Sequence, residues 1–248
     1  MKLTFWPERG GAGLSGPAVQ SLGLSPASAV GIRAPIALLC ESEIRKIVRL
    51  LNVVGPTFTC DTAEIMSKLM TSRTPINAPQ PGEYDPYYDR YISLVSGNDI
   101  VVILQQQAKD AVALLSSLSE QDGDFRYAPE KWSIKEVLGH VIDTERIFAY
   151  RALRVARNDR TPIEGFEQDD YIRYGPFQHC WLADLIEEFG FVRNATIALC
   201  RNLDEESSMR RGVANKNEIS ARALLYTIAG HELHHRKVVK EKYLPPLR

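Results

Sequence analysis

The sequence predicts an all-α protein whose folded domain is a four-helix bundle, and three observations support this prediction. The chain has 248 residues, 44% of them hydrophobic and 25% charged, which is typical of a globular protein with one sizeable core. Four segments of roughly twenty residues repeat apolar side chains at the spacing of an amphipathic helix. We find no alternating strand pattern between these segments.

The first helix is predicted to begin at Ile100. Asn98 or Asp99 can cap it, because a short polar side chain at this position accepts a hydrogen bond from a free backbone amide. Apolar residues then recur at helical spacing up to an Asp-Gly pair at residues 122–123, where we expect the helix to stop.

Two of the other three helices have start signals of a similar kind. Ser133 and Glu136 form a capping box, so a second helix begins at this point. A third helix runs from about residue 181 to residue 203 and contains Gly190, a weak point that can mark close helix packing. Ser220 can cap the fourth helix.

The segments before the bundle have a different composition. Residues 1–31 hold six glycines and three prolines and show no apolar period. We expect residues 1–65 to be either a disordered extension or upstream sequence included by a mistaken start codon, with the folded domain over residues 66–248. Residues 71–96 are rich in proline and tyrosine and are interpreted as an extended, ordered arm whose tyrosines anchor it by packing.

Charge and cysteine usage exclude several classes of function. A formal net charge of −1 gives no field that would attract nucleic acid or an anionic membrane. No stretch reaches the roughly eighteen apolar residues of a membrane helix, and no export signal is found. The four cysteines show no close pairing in sequence. We therefore expect a soluble, cytoplasmic protein with neither a nucleic-acid nor a membrane partner.

Two histidines of the fourth helix are candidate metal ligands. At 100° per residue, His231 and His235 lie about 60° and 20° from Ile228 on the apolar face, whereas His234 lies about 120° away and should point outward. Side chains four residues apart can converge on one ion. A single inward histidine is more often a hydrogen-bonded core residue, but two at this spacing favour a metal.

The third ligand must come from another helix. His140 lies near the edge of the apolar face of the second helix, on the same side as Thr144, and could reach the bundle axis. Taken alone, His140 is equally well explained as a core histidine. His179 precedes the third helix, where a surface or capping role is expected.

Residues 231–235 also match H-E-x-x-H, the zinc-protease motif in which the glutamate is the general base. The short remainder of the chain and the lack of a strand pattern argue against a protease. Glu232 still falls on the inward face, so we expect it to pair with a histidine or an arginine, or to act as an acid-base group.

The sequence leaves alternative roles open for three other acidic residues. Glu145 is either buried in an ion pair, with Arg146, Arg151 or Arg222 as possible partners, or a group that supports a metal ligand. Asp169 and Asp170 either orient a histidine, line the mouth of a pocket, or are simply solvated.

Four segments together resemble the DinB-like superfamily in order and spacing. The resemblance covers most of residues 71–248 and leaves residues 1–65 outside it. It implies an up-down-down-up four-helix bundle with a long crossover, commonly a homodimer, with zinc or nickel held by His140, His231 and His235. The four segments are residues 127–140 (YAPEKWSIKEVLGH), 143–146 (DTER), 165–171 (GFEQDDY) and 230–235 (GHELHH).

The resemblance implies more than one activity. Relatives transfer low-molecular-weight thiols such as bacillithiol or mycothiol, or isomerise substrates with the help of a thiol, and other members are regarded as metal-dependent hydrolases. A histidine-only site leaves open positions on a metal, which suits either a thiol or water. We expect thiol transfer to a small electrophile first, hydrolysis of a small amide or ester second, and a non-enzymatic, metal-stabilised dimeric binding protein third.

Overall fold

The computed structural model describes residues 74–247. The predicted extension over residues 1–65 lies outside these described residues. Short 3₁₀ turns lie at Pro86–Tyr88 and Phe177–His179, and a π-helical turn at Val239–Tyr243 extends the last long helix. The helices and strands are α1 (Asp89–Ile92), α2 (Ile100–Leu115), α3 (Glu120–Gly123), α4 (Ile134–Ala156), α5 (Gln168–Tyr174), α6 (Leu182–Arg201), α7 (Glu205–Met209), β1 (Arg211–Ala214), β2 (Asn217–Ser220), α8 (Ala221–Val238) and α9 (Leu244–Leu247).

The predicted four-helix bundle is confirmed and consists of α2, α4, α6 and α8. Helices α2 and α4 each pack against both α6 and α8. Helices α4 and α6 run in the same direction, and α2 and α8 run in the opposite one, so the topology is up-down-down-up. The contacts that fix these directions are Gln178–Glu136 and Arg193–Glu145 between α6 and α4, Tyr243–Trp132 and Arg210–Ala156 between α8 and α4, and Gln107–Ala229 and Asp110–Arg236 between α2 and α8.

Helix starts agree with the capping signals. The Asp99 carboxylate accepts from the Val101 amide at 3.1 Å, and the predicted Ser133 box and Ser220 cap are both formed. The predicted end of α2 is wrong, because α2 stops at Leu115. Asp122 belongs to a new capping box with Ser119 that opens the single turn α3, so this aspartate starts a helix where a stop was expected.

A layer of buried polar side chains divides the core into two apolar clusters. One cluster joins the arm, the start of α2 and the start of α8, and the other joins the end of α2, the start of α4 and the start of α6. Between them lie Gln107, His140, Glu145, Arg193 and His231, one or two from each long helix. The bundle therefore carries its polar chemistry near its middle.

A β-hairpin that was not predicted from the sequence lies between α7 and α8. Strands β1 and β2 pair antiparallel across Asn215 and Lys216, which have φ of 50° and 67°. Two successive left-handed residues form the tight turn that suits the twist of a hairpin. Ile163 of the crossover donates to the Val213 carbonyl at 2.9 Å, so the hairpin also holds the crossover segment.

Gly190 does not mark close packing, contrary to the sequence interpretation. A Cβ added at Gly190 would meet no atom within 4 Å. Close approaches occur instead at Gly139 and Gly230, where a Cβ would overlap the Phe177 ring and the Tyr91 backbone. These two glycines directly precede two of the candidate metal ligands.

The arm contacts the bundle through apolar side chains, backbone groups and one carboxylate. The Ile76 carbonyl accepts from the Ile100 amide at 3.2 Å and the Tyr226 hydroxyl at 3.1 Å. The Glu83 carboxylate accepts from the Ser220 hydroxyl at 2.7 Å and pairs with Arg222. Of the predicted tyrosine anchors only Tyr88 is buried. Over residues 74–247, no helix combines the length and the apolar character needed to cross a bilayer.

Candidate metal centre

The three predicted ligand histidines come together between α4 and α8. His140 Nε2 lies 3.0 Å from His231 Nε2, and His235 Nε2 lies 3.1 Å from the same atom. The three residues form a group whose potential ligand atoms all lie within 4.8 Å of one another. The helical phase of α8 therefore turns both of its predicted ligands toward His140.

This convergence is not a satisfactory hydrogen-bond network. An imidazole nitrogen carries either one hydrogen or one lone pair, so His231 Nε2 can make only one good hydrogen bond. It nevertheless faces two other Nε2 atoms at hydrogen-bond distance. Three nitrogens that face one point are the arrangement expected of ligands of a single cation.

The other faces of these rings are held by neighbouring side chains. The Trp132 ring lies against His140 with the ring centroids 4.9 Å apart, and the Tyr91 ring meets His231 edge-on at 5.3 Å. Thr144 Oγ1 lies 3.5 Å from His140 Nδ1, one helical turn along α4. When the Thr144 hydroxyl accepts from Nδ1–H, the lone pair of His140 is on Nε2, the atom that faces the other two histidines.

Glycines let other segments approach the two ligand helices closely. The Phe177 ring sits over Gly139 beside His140, and the Tyr91 backbone crosses α8 at Gly230 beside His231. Any larger side chain at either position would push these segments away. The crossover and the arm thus cover the histidines at positions that only glycine leaves open.

Burial keeps the three imidazoles neutral. Desolvation, with a smaller contribution from His234, lowers the pKa of His140 to about 4. Desolvation, followed by the neighbouring histidines, lowers the pKa of His235 to about 3 and that of His231 well below its ordinary value. Because only a neutral imidazole has the lone pair that binds a metal, the site is ready to accept a cation at neutral pH.

The other two histidines lie apart from this cluster. His234 is half-buried, with its ring edge-on to Tyr91 at a centroid distance of 5.7 Å, and it is not part of the converging set. Its side chain is less exposed than we expected for a residue predicted to point outward. His179 is exposed in the turn before α6, in agreement with a surface role.

Glu232 is buried, but it does not contact the histidines by any hydrogen bond found within residues 74–247. Its Oε1 lies 3.3 Å from Arg236 Nε, and its Oε2 has no hydrogen-bond partner. It lines an apolar cavity between the helices together with His235 and Phe189. Desolvation, opposed by Arg193 and Arg236, raises the pKa of Glu232 to about 7. Of the alternatives left open for Glu232, the structure shows the pairing with an arginine.

Glu145 forms a buried ion pair, with a partner that the sequence analysis did not name. Arg193 Nη2 of α6 lies 2.8 Å from Glu145 Oε2, and Arg193 Nε lies 2.9 Å from Oε1. Arg193 Nη1 also donates to Gln107 Oε1 at 3.3 Å. The proposed partners Arg146, Arg151 and Arg222 all face other groups. Glu145 therefore has a structural role.

An open cleft of about 300 Å³ gives access to the histidines. Its lining includes His140, His231, Tyr91, Phe148 and Arg151. Arg151 was not predicted to belong to the site, although its position in the sequence carried a signal. Arg151 follows His140 by eleven residues, which places both on one face of α4, about 20° apart.

The two crossover aspartates have different surroundings. Asp169 is exposed and lines this cleft as well as a second one beside His234 and His235. Asp170 is also exposed, and its carboxylate lies 3.4 Å from Arg173. Asp169 thus lies at the mouth of both clefts, which was one of the roles considered for it from the sequence. Asp170 is a solvated helix residue.

Comparisons with known proteins agree with this architecture. The family profile of the DinB superfamily matches residues 103–239, more than half of the chain. Comparison with curated proteins gives no significant match.

One solved structure supports the fold. It is YfiT from Bacillus subtilis, described as a probable metal-dependent hydrolase with an unusual four-helix bundle topology. The similarity has a TM-score of 0.52 at 15% sequence identity and covers 68% of this chain and 92% of YfiT. At this identity the likeness establishes the shared fold and nothing finer.

Proposed function

The chain belongs to the DinB superfamily, and from that premise we propose that it is a metal-dependent enzyme that transfers a low-molecular-weight thiol to a small electrophilic substrate. In this proposal His140, His231 and His235 hold one divalent ion, zinc or nickel. The observation that carries the proposal is the convergence of three Nε2 atoms beside an open cleft. We also propose that the protein is a homodimer, as the family resemblance implies.

The donor set fits a divalent ion of intermediate softness. Neutral imidazole is a good ligand for zinc and nickel, and three protein nitrogens leave at least one coordination position for a reactant. When bound, such an ion lowers the pKa of a thiol or of a water molecule that occupies the open position. The side chains of this chain would then have to bind and orient the substrate.

Two considerations favour a thiol over water: the pKa values of the two reactants and the position of Glu232. A thiol has a pKa of about 8.5, so a fall of about two units ionises most of it at neutral pH, whereas free water starts from about 15.7. Hydrolysis through the H-E-x-x-H motif would need Glu232 as a base beside the histidines. Glu232 instead pairs with Arg236 and lines an apolar cavity that it shares with His235, and it is not part of the cleft beside His140 and His231.

Hydrolysis of a small amide or ester is the second candidate, and one observation favours it. The structural relative YfiT is described as a probable metal-dependent hydrolase. The exposed carboxylate of Asp169 lies in the lining of the cleft and could serve as a base in that reaction.

Turnover assays on protein purified without a His-tag test the proposal. The metal-loaded protein is mixed with chlorodinitrobenzene and with cysteine, coenzyme A, bacillithiol or mycothiol in turn, and p-nitrophenyl acetate is used for the hydrolase arm. We expect metal-dependent conjugation of at least one thiol and its loss in His140→Ala, with His179→Ala as the matched control.

Two results would contradict the proposal. Metal-dependent hydrolysis of the ester without conjugation of any thiol would replace it with the hydrolase. A bound metal without either reaction would replace it with a metal-stabilised binding protein.

A further inference from the structure

Arg151 is a buried cation without a counter-ion in the part of the chain that the structure describes. The residue is 2% exposed. Its Nη2 donates to the Glu164 carbonyl at 2.7 Å, and its Nε has no hydrogen-bond partner. No carboxylate between residues 74 and 247 forms an ion pair with it, in contrast to the other fully buried arginine, Arg193. A buried charge left in this state is costly unless something else neutralises it.

The guanidinium of Arg151 lies in the lining of the cleft that also contains His140 and His231. It stands between two aromatic rings, with its central carbon 5.1 Å from the centroid of Phe148 and 5.7 Å from that of Phe166. A guanidinium held in this way presents a planar pair of donors, which matches a carboxylate or a phosphate. The Nε–H is buried and has no hydrogen-bond partner, so an oxyanion that reaches the guanidinium would satisfy it.

We propose that Arg151 binds an oxyanion of the substrate, so that the substrate is a small organic carboxylate or phosphate with an apolar portion next to the anionic group. The proposal deepens the proposed function, on which it rests for the position of the reacting centre at the histidines. Phe148 and Phe166 would contact the apolar portion, and Arg151 would fix the end of the molecule farther from the histidines.

The acidic residues of the cleft do not cancel this charge. Glu167 and Asp169 belong to its lining, and both are exposed at the start of α5. Exposed charges are screened by water and salt far more than a buried guanidinium is. They do not neutralise Arg151, whose pKa is lowered by burial and raised only by the tyrosines Tyr88 and Tyr171.

Calorimetric titration with three probes of similar shape tests the inference. Benzoate carries a carboxylate, phenyl phosphate carries a phosphate, and benzyl alcohol is neutral. We expect the metal-loaded protein to bind at least one of the anions and to bind benzyl alcohol at least tenfold more weakly. Arg151→Gln should weaken anion binding by roughly 10- to 100-fold, the usual effect of losing a hydrogen bond to a charged group.

Arg146→Gln is the matched control. Arg146 lies on the same helix, but it is half-exposed and pairs with Asp143 and Glu188. This variant should bind the anions as the parent does. Arg151→Lys keeps the charge without the planar donors and should show an intermediate affinity.

Titration of His140→Ala separates this proposal from the proposed function. The metal content of each sample is determined as well. Anion binding that persists in this variant supports Arg151 as the anion-binding residue, even if neither bound metal nor turnover is found. Equal binding of benzoate and benzyl alcohol by the parent overturns the inference without requiring any variant to fold. Anion binding that is lost in His140→Ala but kept in Arg151→Gln overturns it as well, because the anion would then bind at the histidines.

Discussion

At the scale of single residues, the presence or absence of an ion-pair partner distinguishes buried charges that stabilise the fold from those that belong to the candidate site. Glu145 and Arg193 neutralise each other in the middle of the bundle, whereas Arg151 faces the cleft without a carboxylate partner in the described range. The helical pattern predicted that Glu145 points inward and permitted an ion pair. It could not identify Arg193, because periodicity gives the face of each helix but not which faces meet.

Removing one member of the Glu145–Arg193 pair should destabilise the protein strongly. We expect Arg193→Met to lower the free energy of unfolding by roughly 3–5 kcal/mol, because it leaves a buried carboxylate without a partner. Urea denaturation measures the change. The double variant Glu145→Leu with Arg193→Met should be more stable than Arg193→Met alone. A double variant that is less stable than the single one would show that the pair does more than neutralise charge.

At the scale of elements, capping residues and apolar periodicity placed the four long helices correctly except for the end of α2. Asp99, Ser133 and Ser220 each cap the helix predicted for them. The hairpin was missed because its strands have only four residues each, too short for an alternating pattern to stand out. Asn215 in its turn was the available signal, since asparagine tolerates the left-handed conformation.

The contact between the arm and α8 depends on the absence of a side chain at Gly230. Gly230→Ala should lower the free energy of unfolding by roughly 1–3 kcal/mol, because its Cβ would overlap the Tyr91 carbonyl and displace the arm. The displacement should also weaken metal binding at the adjacent His231. Thermal denaturation and metal affinity are the measurements.

Gly190→Ala is the matched control, since α6 has open space at Gly190. It should leave metal binding unchanged and stabilise the protein by up to about 1 kcal/mol, the difference in helix propensity. Equal losses in the two variants would mean that the arm does not approach α8 at Gly230.

The attachment of the arm should depend on pH through Glu83. Burial alone would raise the pKa of this carboxylate, but hydrogen bonds from Arg222, the Gln80 backbone and Ser220 lower it below its ordinary value. A lowered folded-state pKa gives stability that is present above the unfolded value of about 4.5 and is lost as the pH falls through the folded value. Glu83→Gln should therefore cost roughly 1–3 kcal/mol at pH 7.

Thermal denaturation of Glu83→Gln and the parent between pH 7 and pH 3 measures this effect. The difference in melting temperature should shrink as the pH falls below about 4.5. Glu218→Gln is a control, because Glu218 is exposed and has a single long contact with Arg211. A difference that stays constant down to pH 3 would contradict the proposed role of the Glu83 charge.

For the molecule as a whole, the metal centre depends on elements that are distant in sequence. His140 and His231 are 91 residues apart, yet their Nε2 atoms lie 3.0 Å from each other. Helical phase singled out His231 and His235 and left His140 open between a ligand and a core histidine, whereas the resemblance to the family named all three. The cleft could not be predicted in this way, because it is lined by the arm, two helices, the crossover and the hairpin, whose meeting depends on tertiary packing.

The central claim is that one divalent ion binds to His140, His231 and His235. The most direct test is the number of metal ions per chain, measured by elemental analysis after zinc loading and exhaustive dialysis. We expect about one ion per chain in the parent, in His234→Ala and in His179→Ala, and a loss of that ion in His140→Ala, His231→Ala and His235→Ala. A parent protein that retains no metal, or a His234→Ala variant that loses as much metal as His235→Ala, would contradict it.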